Sequence, residues 1–359
     1  MDLADLGTRV GPILGFVVCI TVVAELADGL GVFALLARGT ARLANGSVLR
    51  LWLLVVLVAV LATAVLSLDT TAVLLTPVVL ALAAQLGLDR MLFAFTAVWL
   101  ANTASLFLPV SNLTNLLALT RLPDARVPAF LALTWPAAIA CVVVTVAALA
   151  VFFRRSLRGT YVLGDAPPWP HPRLLWLGVA VCALLGPAFV LGGSVLVVSA
   201  VGAAVLVVAC AVGARQLLSW TMLPWKLVLG VSVLFVLVQL AQDHGLGELL
   251  GHLAGTGSTW PSLLRLAGLG ALGANLLDNL PAYLALEPVA LDHPGRLVAL
   301  LVGVNAGPLV TPWASLATLL WAARCRSAGV QVSWGGFALR GLVLVPVLLV
   351  TATLALAFL

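Results

Sequence analysis

Long hydrophobic runs alternate with short polar stretches along almost the whole chain. Residues 10–37, 127–153 and 337–358 are apolar over lengths that reach the roughly 20 residues a bilayer-crossing helix needs. Lipid offers no hydrogen-bond partners to the backbone, so spans of this kind are expected to be helices. The pattern predicts an all-α polytopic membrane protein.

Two of the apolar runs, at residues 92–119 and 297–322, are interrupted by a polar stretch that contains a proline. Each interruption begins at an asparagine, Asn102 or Asn305, and a proline follows seven residues later. Irregular backbone at bilayer depth is tolerated only where protein or a water-filled cavity surrounds it. Two broken helices at matching places in the two halves of a chain are typical of a secondary transporter's binding site.

Two further runs change direction at an acidic residue. Residues 51–86 are interrupted near Asp69, and residues 259–290 near Asp278. We interpret each run as a re-entrant hairpin with the acid at its tip. A pair of full transmembrane spans is the alternative for residues 51–86, because the arms are longer than half a bilayer requires.

The same order of elements occurs twice and divides the chain into three parts. If each hairpin returns to its own side, the second repeat starts on the membrane face opposite to the first, and the two repeats are inverted. The predicted parts are a first transmembrane repeat at 1–153, with hairpin 51–86 and broken helix 92–119; a cytoplasmic linker with two connecting helices at 154–226; and a second repeat at 227–359, with hairpin 259–290 and broken helix 297–322.

The charged residues fit a membrane protein and set its orientation. Only 9% of residues are charged and 63% are hydrophobic, against about 25% charged in globular proteins. The net charge of +5 comes from arginines on short loops, which we interpret as topology and not as nucleic-acid binding. One side of the membrane carries all of the 18 basic residues except Arg9, Arg121, Arg126, Arg265 and Arg296. That side is predicted to be cytoplasmic, in a multi-pass inner-membrane protein.

The remaining composition offers no enzyme or metal chemistry. The five cysteines are scattered, form no CxxC pair and have no histidine at a ligand spacing. We expect no catalytic residue, no metal site and no cofactor. The acidic N-terminus, and a first apolar run without a small-residue cleavage site, predict that no signal peptide is removed.

Asp69 and Asp278 are the candidates for proton or ion coupling. A carboxylate at bilayer depth costs about 2.5–3.5 kcal/mol even on insertion scales, so both should face a cavity. Acids at hairpin tips that enter from opposite faces would suit alternate protonation from the two sides. The alternative is that each acid caps the N-terminus of a half-helix. Glu25 and Asp28, near the cytoplasmic end of the first span, are expected to be interfacial.

The candidate substrate-binding residues are neutral polar residues of the broken helices and the second hairpin tip. Such a lining suits a small hydroxylated or weakly charged solute, although half-helix N-termini would also hold an anion. The alternative for the Ser and Thr hydroxyls is a hydrogen bond to a carbonyl of their own helix. The candidates are Asn102, Thr103, Ser105, Ser111, Asn112, Asn115, Asn279, Asn305, Thr311 and Ser315.

Several segments resemble the arsenical pump membrane protein (ArsB-type) family of the ion transporter superfamily, which also contains dicarboxylate and citrate carriers. They are ANTASLFLPVSNLTNLL, LDTTAVLLTP, DNLPAYL, GPLVTPWASLATLLW and VSWGGFALRGLVLVPVLLVT. The resemblance implies export of trivalent arsenite or antimonite in exchange for protons, with a soluble ATPase as partner in some members. It also implies the superfamily fold, with two re-entrant hairpins and two unwound helices around a midplane site.

The resemblance is less complete at the polar positions. The family's first hairpin tip reads Asn-Asp-Gly, and this chain retains only the acid, as Asp69. Asn102 and Asn305 stand where the family has aspartates, Asp278 replaces an asparagine of the second tip, and Leu309 replaces a lysine. These departures leave the scaffold better supported than the substrate.

Together the patterns and the resemblance predict a secondary active transporter that exports arsenite or antimonite in exchange for protons. A proton- or sodium-coupled carrier of a dicarboxylate or other small anion is the first alternative, disfavoured because no Arg or Lys lies at either tip or break. A channel or passive membrane receptor is the second. The expected partners are the inorganic solute, protons, the lipid bilayer, a soluble ATPase and a second copy of the chain in a homodimer, without nucleic acid. Because the spans at 174–213 have no counterpart before residue 10, we expect the chain to begin later than longer relatives do.

Overall fold

The computed structural model describes residues 3–164 and 169–356, which form helices, turns and one isolated antiparallel bridge between Ser47 and Thr160. Eight helical segments are long and apolar enough to cross a membrane. Large apolar side chains, such as Leu57 and Val143, are exposed on the outer surfaces of these helices, where a bilayer would cover them. The prediction of an all-α polytopic membrane protein is confirmed.

The first repeat runs in the order span, amphipathic helix, hairpin, broken helix, span. Its first span is α1 (Leu3–Gly29), its amphipathic helix is α2 (Val32–Leu43), and its last span is α8 (Val127–Phe152). The hairpin consists of α3 (Val48–Val65), α4 (Leu68–Thr70), a π-helical stretch (Thr71–Leu75) and α5 (Thr76–Gln85). The broken helix consists of α6 (Arg90–Thr103) and α7 (Leu113–Leu119), separated by two 3-10 turns (Ala104–Leu106 and Pro109–Ser111).

Two connecting helices, α9 (Pro172–Val190) and α10 (Val195–Gly213), lead to a second repeat with the same order. Its first span and amphipathic helix are α11 (Trp225–Ala241) and α12 (Gly247–Ala254), and its last span is α17 (Trp334–Leu356). The hairpin is formed by α13 (Trp260–Leu276) and α14 (Asn279–Leu286), which a 3-10 turn (Glu287–Ala290) extends. The broken helix consists of α15 (Pro294–Ala306) and α16 (Leu316–Ser327).

Matching backbone features mark equivalent points in the two repeats. Gly31, before α2, has φ 91°, and Gly245, before α12, has φ 93°, a conformation that glycine adopts without a steric cost. α6 ends one residue after Asn102, and α15 ends one residue after Asn305. The two helices therefore break at the same point, as their sequences predicted.

Small residues bring α13 and α15 into backbone contact. A methyl group added at Gly303 would meet the carbonyl oxygen of Ala267, and one added at Gly307 would meet Ala271. Close approach through small residues is the usual way to pack helices in lipid, where burial of apolar side chains gives little driving force. One arm of the second hairpin is thus packed directly on the second broken helix.

Candidate substrate cavity

A cavity of about 670 Å³ lies where the two hairpin tips meet the second halves of the two broken helices. Its wall also includes α1 and α11, the first spans of the two repeats. Because elements of both repeats enclose it, this cavity is the candidate site for a transported solute. Its polar wall residues are Thr21, Glu25, Ser67, Asp69, Thr70, Asn112, Lys226 and Asp278.

The two hairpin tips place their acids differently. Asp278 is the N-cap of α14, and its Oδ1 accepts a hydrogen bond from the Leu280 N–H at 3.1 Å. In the first hairpin the N-cap is Ser67, whose Oγ accepts a hydrogen bond from the Thr70 N–H at 3.2 Å. Asp69 is the second residue of α4 and not its cap. The alternative prediction was that each acid caps a half-helix. The structure shows this for Asp278, whereas in the first hairpin Ser67 is the cap.

Asp69 and Asp278 nevertheless face the same space. Both are half-buried and line the cavity, and their carboxylates are close enough to interact electrostatically. Leu316, at the start of α16, lies on the same wall. Both acids are thus within reach of protons and solute that enter the cavity.

Two charged residues of the wall were not expected there. Glu25 was predicted to be interfacial, but it lines the cavity from α1, because α1 packs beside the hairpin tips. Lys226 was predicted to lie in a loop, but α11 begins at Trp225, so Lys226 lies in its first turn and on the wall. The sequence offered two signals: an acid inside an apolar span, and the chain's only lysine at the edge of another span.

A network of neutral side chains joins the two broken helices directly behind the cavity wall. Asn305 Oδ1 accepts hydrogen bonds from Asn112 Nδ2 at 2.9 Å and from Thr114 Oγ1 at 2.8 Å. Asn305 Nδ2 donates to Asn115 Oδ1 at 2.7 Å. Asn115 Nδ2 in turn donates to the backbone carbonyl of Ser105 at 2.6 Å. Asn112, the N-cap of α7, brings this network to the cavity surface.

The predicted residues at the end of α6 lie deeper in the protein. Asn102 Nδ2 donates to the Val98 carbonyl at 2.9 Å, and its Oδ1 is buried without a partner among the described residues. Thr103 Oγ1 and Ser105 Oγ donate to carbonyls of the same helix, at 2.8 and 2.7 Å. Ser111 Oγ donates to the Ala64 carbonyl at 3.0 Å and so ties the break to the first hairpin. These four residues are buried, and the cavity wall does not include them.

In the second broken helix, Asn275 of α13 holds the break in place. Its Nδ2 donates to the Gly307 carbonyl at 2.8 Å, and its Oδ1 accepts from the N–H groups of Val310 and Thr311, at 3.2 and 3.0 Å. Its carbonyl also accepts from the indole N–H of Trp313 at 2.9 Å. Asn275 was not among the predicted site residues. An asparagine inside an apolar hairpin arm, three residues before the tip, was the signal for it.

The remaining candidates are not part of the cavity wall. Thr311 Oγ1 donates to the Asn275 carbonyl at 2.9 Å. Ser315 is the N-cap of α16, with its Oγ accepting from the Thr318 N–H at 3.2 Å. Asn279, the first residue of α14, is buried. Within residues 3–164 and 169–356, no group of three or more His, Cys, Asp or Glu side chains is placed to hold a metal ion.

The cavity lies beside two helix ends that are predicted to be cytoplasmic. Its α1 wall ends at Glu25, near the end of the helix, and its α11 wall begins at Pro224. Away from the cavity, Arg121 donates to Glu287 at 3.0 Å, and the Tyr283 hydroxyl donates to the same carboxylate at 2.9 Å. These contacts join the end of α7 to the second hairpin.

Comparison with known proteins identifies the scaffold. Residues 9–318 match the family described as Citrate transporter. The chain is similar to an arsenical pump membrane protein of Escherichia coli, with 29% identity over 94% of this chain and 85% of that protein. A protein of the same name from Yersinia enterocolitica is 29% identical over the same shares of the two chains.

A likeness to a solved structure shows the fold. The YdaH transporter of Alcanivorax borkumensis superposes with a TM-score of 0.61 at 16% sequence identity. The likeness covers 100% of this chain and 89% of that one. The predicted helical fold, with two helical hairpins and two broken helices, is confirmed. The chain therefore belongs to the citrate transporter family and is a multi-pass membrane transporter similar to arsenical pump membrane proteins.

Proposed function

We propose that the protein exports trivalent arsenite or antimonite from the cytoplasm in exchange for protons. The relatives named arsenical pump membrane proteins cover 94% of the chain, which supports this substrate class. The cavity lies beside helix ends that are predicted to be cytoplasmic, the side from which an exporter takes up its solute.

The charge of the cavity wall is the observation that carries the proposal. Three carboxylates, those of Glu25, Asp69 and Asp278, line the cavity, with Lys226 as the one ammonium group among its described residues. Arsenous acid, As(OH)₃, is uncharged at neutral pH and presents three hydroxyl groups. Carboxylates accept strong hydrogen bonds from such hydroxyls, whereas they repel a dicarboxylate.

Proton coupling follows from the placement of the two tip acids. Asp69 and Asp278 face the space that the solute occupies, so a bound solute and bound protons compete for the same oxygen atoms. Protons taken up from the outside would displace the solute there, and loss of those protons to the cytoplasm would restore the loading state. This is exchange by alternate occupancy of one site.

A coupled carrier of a small organic anion is the second candidate. An anion would be attracted by two positive features of the cavity wall. They are the ammonium group of Lys226 and the helix N-termini of α14 and α16. Lys226 removes part of the sequence argument against such a carrier, because that argument assumed no lysine near the tips. The surplus of carboxylates still favours the uncharged solute.

The decisive experiment is uptake of arsenite into everted vesicles, with and without an imposed pH gradient, with citrate and succinate as comparison solutes. Gradient-dependent uptake of arsenite, without uptake of the two anions, is the expected result. Uptake of citrate or succinate in place of arsenite would overturn the proposal in favour of the anion carrier. If the rate of arsenite uptake does not depend on the pH gradient, the protein does not exchange arsenite for protons, and a channel is indicated.

A further inference from the structure

We propose that Asp278 sets the charge selectivity of the cavity: its carboxylate occupies the N-terminus of α14 on the cavity wall, where an anionic solute would otherwise bind. The inference rests on the proposed function in one respect only, that the cavity is the solute path. It assigns to Asp278 a role in the exclusion of anions in addition to any role in coupling.

The first support is the position of the carboxylate at a helix end. Asp278 Oδ1 accepts from the Leu280 N–H at 3.1 Å, within the first turn of α14. Asp278 is part of the cavity wall, and so is Leu316, the first residue of α16. The N-terminus of a helix carries about half a positive charge, which attracts anions. The Asp278 carboxylate neutralises this charge, so the helix end no longer attracts an anionic solute.

The second support is the difference between the two hairpins. Ser67 and Asp278 hold the same place, as N-cap of the returning hairpin arm, and both have extended ψ values, 166° and 161°. Serine and aspartate cap a helix about equally well. Capping therefore does not require a charge at position 278, and the first tip accomplishes it with a hydroxyl.

The third support is the surrounding charge. The charged groups that face Asp278 across the cavity are Asp69 of α4, Glu25 of α1 and Lys226 of α11. Two of the three are acids, and the lysine is exposed in the first turn of α11. An incoming anion therefore meets the Asp278 carboxylate at a helix end where backbone N–H groups would otherwise favour it.

The test is citrate binding by purified protein in nanodiscs at pH 8, measured by titration calorimetry. The Asp278→Ser variant copies the first hairpin, so it keeps an N-cap and removes the charge; Asp278→Asn does the same with little change of shape. We expect both variants to bind citrate roughly tenfold or more tightly than the wild type, since a like charge at the site is lost. A cooperative thermal unfolding transition confirms that each variant is folded.

Asp124→Asn is the matched control, because it removes one carboxylate from the exposed loop after α7, outside the cavity. It should leave citrate binding at the wild-type value. Asp69→Asn removes one carboxylate from the same cavity at a position that is not the cap, and it should give a smaller gain than the two Asp278 variants. An equal gain in Asp69→Asn would show that total cavity charge matters and not the place of Asp278, and would overturn the inference. Unchanged citrate binding in the folded Asp278→Ser and Asp278→Asn variants would also overturn the inference. These readouts need no arsenite flux, so failure of the proposed function would be seen separately.

Discussion

At the scale of single residues, Asp69 is the acid most free to exchange a proton. It lines the cavity and is not the cap of its helix, whereas Asp278 is held by backbone N–H groups. We predict that Asp69→Asn abolishes gradient-driven flux, because the amide cannot take up a proton to become neutral. Flux into everted vesicles with an imposed pH gradient measures this.

Asp124→Asn is the control for that prediction. Asp124 lies in the exposed loop after α7 and pairs with Arg126 at 2.7 Å, and the hydrogen bond from Arg126 lowers the pKa of Asp124. The control therefore loses the same charge at neutral pH, outside the cavity, and should keep wild-type flux. Gradient-driven flux in Asp69→Asn equal to that of the control would remove Asp69 from the coupling mechanism.

Asn305 is the residue on which the contact between the two broken helices depends. Asn305→Ala would leave Asn112, Thr114 and Asn115 without their partner, and each buried polar group left without a hydrogen bond costs about 1–3 kcal/mol. We expect a clear fall in the midpoint of thermal unfolding and weaker solute binding. Gln85→Ala, on the exposed side of α5, should leave both unchanged. Wild-type behaviour of Asn305→Ala would mean that the network does not hold the breaks together.

At the scale of helices, the contact between α13 and α15 should tolerate no added atoms. In Gly303→Ala the new methyl group meets the Ala267 carbonyl, so the helices must separate and the melting temperature should fall. Gly268→Ala, in α13, meets nothing within 4 Å and should be neutral or slightly stabilising, since alanine favours helix by about 1 kcal/mol. Equal melting temperatures of the two variants would show that the contact is loose.

The elements of the fold were predictable to a large degree because bilayer depth restricts the backbone so strongly. The two breaks, the two hairpins and their repetition all follow from polar residues inside apolar runs. Contacts between segments that are distant in the sequence could not be predicted from this pattern. Glu25 lines the cavity only because α1 packs beside the hairpin tips, and Asn275 holds a break more than thirty residues away from it in sequence. The difference between Asp69 and Asp278 depends on which residue starts each helix, a boundary that sequence patterns place only approximately.

At the scale of the whole molecule, the predicted cytoplasmic position of the cavity indicates which surfaces a reagent reaches. A cysteine placed at Gly230, on the α11 wall of the cavity, should react with a membrane-impermeant maleimide in everted vesicles and not in intact cells. A cysteine at Asp124, beyond the end of α7, should show the opposite pattern. The unmodified protein, with Cys19 half-buried in α1, gives the background. Labelling of both positions from one side would show that the assigned orientation is wrong.

The inverted repeat has a consequence for the direction of transport. If the two repeats exchange conformations, the cavity closes to the cytoplasm and opens to the outside, with each hairpin in the setting that the other now has. Ser67 would then occupy the position that Asp278 has now, and the Asp278 carboxylate would occupy the present position of Ser67. Loading and release would take place in electrically different surroundings. The difference between Ser67 and Asp278 would therefore make the charge around the solute, and with it the affinity of the site, different on the two sides of the membrane.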